Sequence, residues 1–177
     1  MMERTFVSKI EKYLLKEENV LWYGKSDIKK LFDKRDIFFV PLSIVVGILI
    51  LRYQADTLFL LFSFYLIIGR FIVKIRHKSK VIYVLTNKRI LIIKNDSSKR
   101  IITRYINKLS NINISINKKG IGTIRFGESS LYDMFYGNTF MVLPWISYFW
   151  EYAIFYDISD AKKVYELIQN ISKKQLN

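Results

Sequence analysis

Two uncharged apolar runs, separated by a few residues, constrain this chain more than any other feature. Residues Ile37 to Leu51 read IFFVPLSIVVGILIL, bounded by Asp36 and Arg52; a second run, TLFLLFSFYLIIG, begins at Thr57 and continues through Arg70 and Phe71-Ile72-Val73 to Lys74. Taken alone, such lengths also fit buried core helices. A surface helix of a small soluble domain needs a polar face about every 3.6 residues, and neither run has one. A chain of 177 residues also leaves little protein to wrap an all-round apolar pair. Extended to Tyr53 and to Val73 or Ile75, the runs approach spanning length, with Arg52 and Arg70 reaching to the interfaces. Each run holds about a dozen Leu, Ile, Phe and Val residues. At about −0.3 to −0.6 kcal/mol per residue, the roughly −4 to −7 kcal/mol per run outweighs one peripheral arginine at about +3. The reading is a two-helix transmembrane hairpin over 37–75, with helices at about 37–53 and 57–75.

The flanks orient it. The connector Tyr53-Gln54-Ala55-Asp56 has no Lys or Arg, whereas Lys25, Lys29, Lys30, Lys34 and Arg35 precede the hairpin and Lys74, Arg76, Lys78 and Lys80 follow it. The positive-inside rule then places both termini in the cytoplasm. No cleavable signal is visible in MMERTFVSKIEKYLLK, where Phe6, Ile10 and Leu14 recur every fourth residue. Residues 1–36 read as a cytoplasmic amphipathic segment.

Composition narrows the function. The formal charge is +14, divided as net +4 over residues 1–75 and net +10 over 76–177. An excess of this size points to a polyanionic neighbour, an anionic membrane face or a nucleic acid. The chain has no cysteine and one histidine, His77, within a basic run, so thiol chemistry and His or Cys metal sites are excluded. Gly24-Lys25-Ser26 lacks the first glycine of a phosphate loop, and Gly120-x-Gly122 lacks the third glycine of a dinucleotide fingerprint and reads as a hairpin. No nucleophile, base and orienter assemble, so the reading is non-enzymatic, with no cofactor.

Beyond Lys80 the pattern changes to short β-rich segments. Strands are expected at about 81–86, 89–94, 100–104, 111–116, 123–126, 139–143 and 151–156, with turns at Asn87-Lys88, Asn95 to Ser98 and Lys118 to Gly120. Ala161, Val164, Leu167, Ile168 and Ile171 then share one face of a terminal helix over about 160–173. The run Tyr83-Val84-Leu85-Thr86-Asn87-Lys88-Arg89-Ile90-Leu91 resembles the opening of bacterial pleckstrin-homology-like (PH-like) domains. Three further stretches resemble the same family: Glu18-x-Val20-Leu21-Trp22-x-Gly24-Lys25, Gly120-Ile121-Gly122-Thr123-Ile124-x-Phe126, and Phe155-x-Asp157-Ile158-x-Asp160-Ala161-x-x-Val164-Tyr165-x-x-Ile168. The resemblance implies a mainly β fold with α: a seven-stranded antiparallel barrel or sandwich over 76–177, capped by a C-terminal helix and preceded by the hairpin. It also implies a location at the bacterial cytoplasmic membrane and a binding module without enzymatic activity.

Two sets of residues are candidates for contact. Arg76, Lys78, Lys80, Lys88, Arg89, Lys99, Arg100, Lys118 and Lys119 lie in or beside turns and form an expected rim for anionic lipid headgroups or another polyanion. Residues 134–156 are rich in aromatics, and Trp145, Tyr148 and Phe149 follow Pro144 in a stretch that does not alternate cleanly, as an interfacial or partner-binding loop would. Part of that segment also fits a β-core. The chain is therefore read as an adaptor or accessory contacting anionic lipid, a protein partner, or both. The alternatives are a nucleic-acid binder using the same cations and a membrane enzyme. Against the first, residues 135–149 contain no Lys or Arg; against the second, the apolar runs carry little polarity beyond Ser43, Ser63, Tyr65 and Arg70.

Overall fold

The computed structural model describes residues 10–32, 36–53, 57–95, 100–109, 111–127 and 153–176. In chain order its elements are strand β1 (Val20–Gly24), helix α1 (Asp36–Arg52), helix α2 (Thr57–Phe64), a π-helical turn (Tyr65–Gly69) and helix α3 (Arg70–Lys80). Strands β2 (Val81–Thr86), β3 (Arg89–Lys94), β4 (Ile101–Tyr105), β5 (Ile112–Ile116), β6 (Gly122–Phe126) and β7 (Ile154–Ile158) follow, and helix α4 (Ala161–Leu176) closes the chain. The architecture is mixed α/β: two antiparallel sheets, ordered β1-β2-β3-β4 and β5-β6-β7, with a C-terminal helix.

The expected apolar helices are present and pair as a hairpin. Ser43 and Ser63 are buried, and a methyl group at Gly47 would lie 3.7 Å from the Ser63 Cβ, so small residues line the contact between α1 and α2. Ile37, Leu42, Ile48, Leu51, Leu58 and Leu61 face outward. The second helix runs past the expected end at Ile75 and passes into β2 without a loop. The stretch Leu58–Lys80 is long and apolar enough to cross a membrane. Its inward face carries Ser63, Leu66, Arg70, Lys74 and Lys78, all buried. Four turns of straight α-helix take about 14.4 residues, and this stripe spans 15, from Ser63 to Lys78. The wider π turn takes up the difference and keeps the stripe on one side.

β2 and β3 are nearly continuous apolar runs because both of their faces are covered. On one face Val81, Tyr83, Leu85, Ile90 and Ile92 pack with Ile124, Phe126, Phe155 and Ile158 of the second sheet and with Ala161, Val164 and Ile168 of α4. On the other, Ile82, Val84, Leu91 and Ile93 meet Ile10, Tyr13, Leu14 and Val20. The described part of the N-terminal amphipathic repeat, Ile10 to Leu14, is therefore a strap across the outer face of the first sheet.

Two elements differ from the sequence-based expectation. β1 lies before the hairpin and pairs antiparallel with β2, so the first sheet is assembled from chain on both sides of α1–α3. The unit is not confined to 76–177. β7 begins and ends later than expected, because Gly122 pairs with Ile158 and Ile124 with Phe155, leaving Tyr156 and Asp157 opposite the single residue Thr123. This bulge breaks the alternation on which the expected limits rest. The expected strand at 139–143 lies outside the described residues.

Candidate functional site at the hairpin end of the sheets

Strand direction sorts the turns into two ends. β1 runs toward the hairpin and β2 away from it, with Gly24 opposite Tyr83. The turn after β3 returns to the hairpin end, where the Asn95 N–H donates to the Lys80 carbonyl at 2.9 Å. Ser26 bridges to Ile158, and Ile158 pairs with Gly122, so the β5–β6 turn and the start of α4 lie at this end too. The β2–β3 turn lies at the opposite end, with the Asn87 N–H on the Asn19 carbonyl and the Ile106 N–H on that of Lys88.

At the hairpin end, the two stretches joining helices to sheets are fastened to β7. The bulge gives Asp157 a positive φ of 48° and turns its carboxylate inward, where it is fully buried. One oxygen takes the Lys30 ammonium and the other that of Lys78, at 2.6 Å. Lys78 also donates to the carbonyls of Asp27 and Lys30, and Lys74 to that of Leu31, so α3 grips the connector that leads into α1. Next to this node, Ser26 donates its hydroxyl proton to the Tyr156 carbonyl at 2.7 Å, which leaves Tyr83 to donate to Ser26 across 3.1 Å. The Tyr83 oxygen in turn accepts the Tyr156 N–H. Burial pushes the Tyr83 hydroxyl up to about 12, its hydrogen bonds offset this only in part, and the Asp157 charge acts in the same direction as burial.

One helical turn back along α3 lies a less complete arrangement. Arg70 is 1% exposed and its Nη1 lies 2.9 Å from Asp36 Oδ1, itself buried, while Lys74 Nζ lies 4.0 Å from Oδ2. The N–H directions miss the carboxylate, and among the described residues Nε, Nη1 and Nη2 have no hydrogen-bond partner. The expectation that Arg70 reaches to the interface is corrected: the inward stripe turns it toward α1.

The expected rim divides between the two ends. Arg76, Lys80, Lys118 and Lys119 are exposed and Arg100 is half-buried, all at the hairpin end. Lys162 and Lys163, which the sequence reading missed, are exposed there in the first turn of α4. Lys78 is buried on Asp157, which replaces a headgroup contact with a structural one. Lys88 and Arg89 lie at the far end. Arg89 is not a surface contact: its Nε and Nη2 donate to the two Glu18 oxygens, both at 2.9 Å, and Nη2 also donates to the Tyr13 carbonyl. Burial raises the Glu18 carboxyl, but bonds from Arg89, the Leu15 N–H and Thr86, together with the Arg89 charge, leave it below its usual range. Lys99, Trp145, Tyr148 and Phe149 lie outside the described residues. Phe126 and Ala153, which flank residues 128–152, are joined at the far end by a hydrogen bond from the Phe126 N–H to the Ala153 carbonyl.

The structural partners Asp36, Asp157 and Glu18 look scattered in sequence. For Asp36 and Asp157 the visible signal lies on the other side of the pair, in the spacing of Arg70, Lys74 and Lys78; Arg89, opposite Glu18, has no such spacing. Among the described residues no group of acidic or histidine side chains is arranged to hold a metal. No protein-family model, curated protein or solved structure matches this chain.

Proposed function

We propose that the chain is a membrane-anchored PH-like binding module that faces the cytoplasm and acts as a non-enzymatic adaptor or accessory. In this reading the apolar hairpin sits in the bilayer and holds one end of the two-sheet unit against anionic lipid headgroups. The observation that carries the reading is the insertion of the hairpin between β1 and β2, which puts both helix connections at the end bearing Arg76, Lys80, Arg100, Lys118 and Lys119. Each cation near an anionic leaflet contributes about 1 kcal/mol. Among the described residues, two antiparallel sheets followed by a closing helix also fit the PH-like resemblance, with the first strand upstream of the hairpin.

The absence of cysteine makes the test direct. In the full chain reconstituted into vesicles, a fluorophore at Lys118→Cys should be quenched by headgroup-labelled acceptor lipid more strongly when phosphatidylglycerol is present, and the effect should fade with added salt. The same fluorophore at Lys88→Cys, at the far end, should show neither change. Equal quenching at both positions, or indifference to anionic lipid, would refute the orientation. Failure of the chain to resist alkaline extraction from membranes would refute the anchor itself.

A further inference from the structure

We propose that the junction between the start of α1 and α3 binds the phosphate of an inner-leaflet anionic phospholipid through Arg70. The inference rests on the membrane reading above and adds a discrete site to it. A buried guanidinium whose donors meet no hydrogen-bond acceptor among the described residues calls for a polar ligand, since such groups otherwise find a partner in folded proteins. The sign of the charge selects an anion. With Nη1 beside Asp36, the edge formed by Nε and Nη2 remains open, and this forked edge matches two oxygens of a phosphate better than a single acceptor.

The carboxylate does not keep Arg70 for itself. Lys74 lies 4.0 Å from the other Asp36 oxygen, so Asp36 retains a cation when the guanidinium turns toward a ligand. Depth selects the source of the phosphate. Outward-facing Ile72 and Ile75 carry the apolar surface of α3 past Arg70, to a level five residues on, roughly 8 Å along the helix. Arg70 thus sits just inside the cytoplasmic rim of the apolar belt, turned toward α1, where a headgroup phosphate entering between the helices would meet it. A basic site between helices on that side suits a lipid phosphate in particular.

Native mass spectrometry of the full chain released from detergent tests this, with phosphatidylglycerol, phosphatidylcholine or inorganic phosphate as the added probe. The wild type should retain one phosphatidylglycerol in preference to phosphatidylcholine, and inorganic phosphate should not displace it. Arg70→Lys keeps the charge opposite Asp36 but loses the fork, and should weaken retention about tenfold. Lys173→Gln, in the last turn of α4 and outside the rim, should leave retention of this one lipid unchanged. Retention by Arg70→Lys equal to the wild type, in a chain that still resists alkaline extraction, would overturn the site while sparing the anchor. Displacement by inorganic phosphate would overturn the lipid source, and a co-purifying protein lost on Arg70→Lys would replace the phosphate with a partner's carboxylate. A matching unfolding temperature for Arg70→Lys ensures that lost binding is not lost folding.

Discussion

Arg89 and Arg70 each sit beside a buried carboxylate, and their surroundings differ in one respect. Around Glu18 and Arg89 the hydrogen bonding is closed: Glu18 accepts from Arg89 Nε and Nη2, the Leu15 N–H and the Thr86 hydroxyl, and Arg89 also reaches the Tyr13 carbonyl. Around Asp36 and Arg70 it is open, with two cations near one carboxylate and guanidinium donors that meet no acceptor among the described residues. Burial is similar in the two places. What separates a structural clasp from a candidate binding site is saturation, because a fully bonded polar network rigidifies while a partly bonded one is costly until something completes it.

The closed pair should therefore break expensively. Glu18→Ala leaves Arg89 buried without its counter-ion and frees the strap that covers Ile82, Val84, Leu91 and Ile93. The expected loss is about 3–5 kcal/mol in urea unfolding of the full chain in detergent. A loss near zero would mean that the strap is held by its apolar contacts alone. The pH dependence has a definite sign: the folded Glu18 carboxyl lies below its reference value of 4.5. Its contribution is thus present above the unfolded value and lost as pH falls through the folded one. Glu18→Gln should flatten that acid limb.

The node at Asp157 lies between the two extremes, since both oxygens are taken but by two lysines from different segments. Asp157→Asn keeps an acceptor while removing the charge that faces buried Lys78. A loss of about 2–3 kcal/mol is expected, in line with a hydrogen bond to a charged group. Faster hydrogen exchange should follow over 27–31 and 74–80, the two stretches that the node joins. Exchange unchanged there would show that the hairpin and the sheets are held together by other contacts.

Tyr83 supplies a smaller effect on the alkaline side. Its hydroxyl titrates at about 12 when folded against 10 in the reference state, so only the neutral form is favoured by folding. Stability should be unaffected by this group below the unfolded value and should fall as pH rises from 10 toward 12, by up to about 2–3 kcal/mol. Tyr83→Phe should remove that slope, at a cost near neutral pH of about 1 kcal/mol for the lost hydrogen bonds. An unchanged slope would assign the alkaline limb to the lysines.

Local pattern made most of the fold legible. The two apolar helices, the paired runs over 81–86 and 89–94, and the terminal helix follow from continuous apolarity or a clear helical period, which depend on neighbouring residues alone. β1 was harder because Val20–Gly24 is short and its partner, β2, lies beyond the hairpin. The motif Glu18 to Lys25 marked the place without showing the pairing. β7 was displaced by its bulge, and that same bulge aims Asp157, so the irregularity hidden from an alternation argument is the one that builds the junction. For the site, basic spacing was visible but burial was not. Lys78 and Arg89 look the same in sequence as Lys118 and Lys119, and only the carboxylates brought in from distant segments separate them.

The smallest expected effect on stability belongs to the open pair, and it tests the comparison most sharply. Arg70→Met removes the guanidinium whose donors meet no acceptor among the described residues, and Lys74 remains near Asp36 to balance its charge. The single substitution should therefore cost far less than Glu18→Ala. Arg70→Met combined with Asp36→Leu should lie within about 1 kcal/mol of the wild type or be more stable, as when a buried ion pair gives way to apolar side chains. If instead Arg70→Met costs as much as Glu18→Ala, the two pairs are equivalent and Arg70 is a fold determinant with no capacity left for a ligand. If the double variant is stable yet no longer retains phosphatidylglycerol, stability and binding separate at this position. The open donors then serve recognition, at the point where the hairpin joins the sheets.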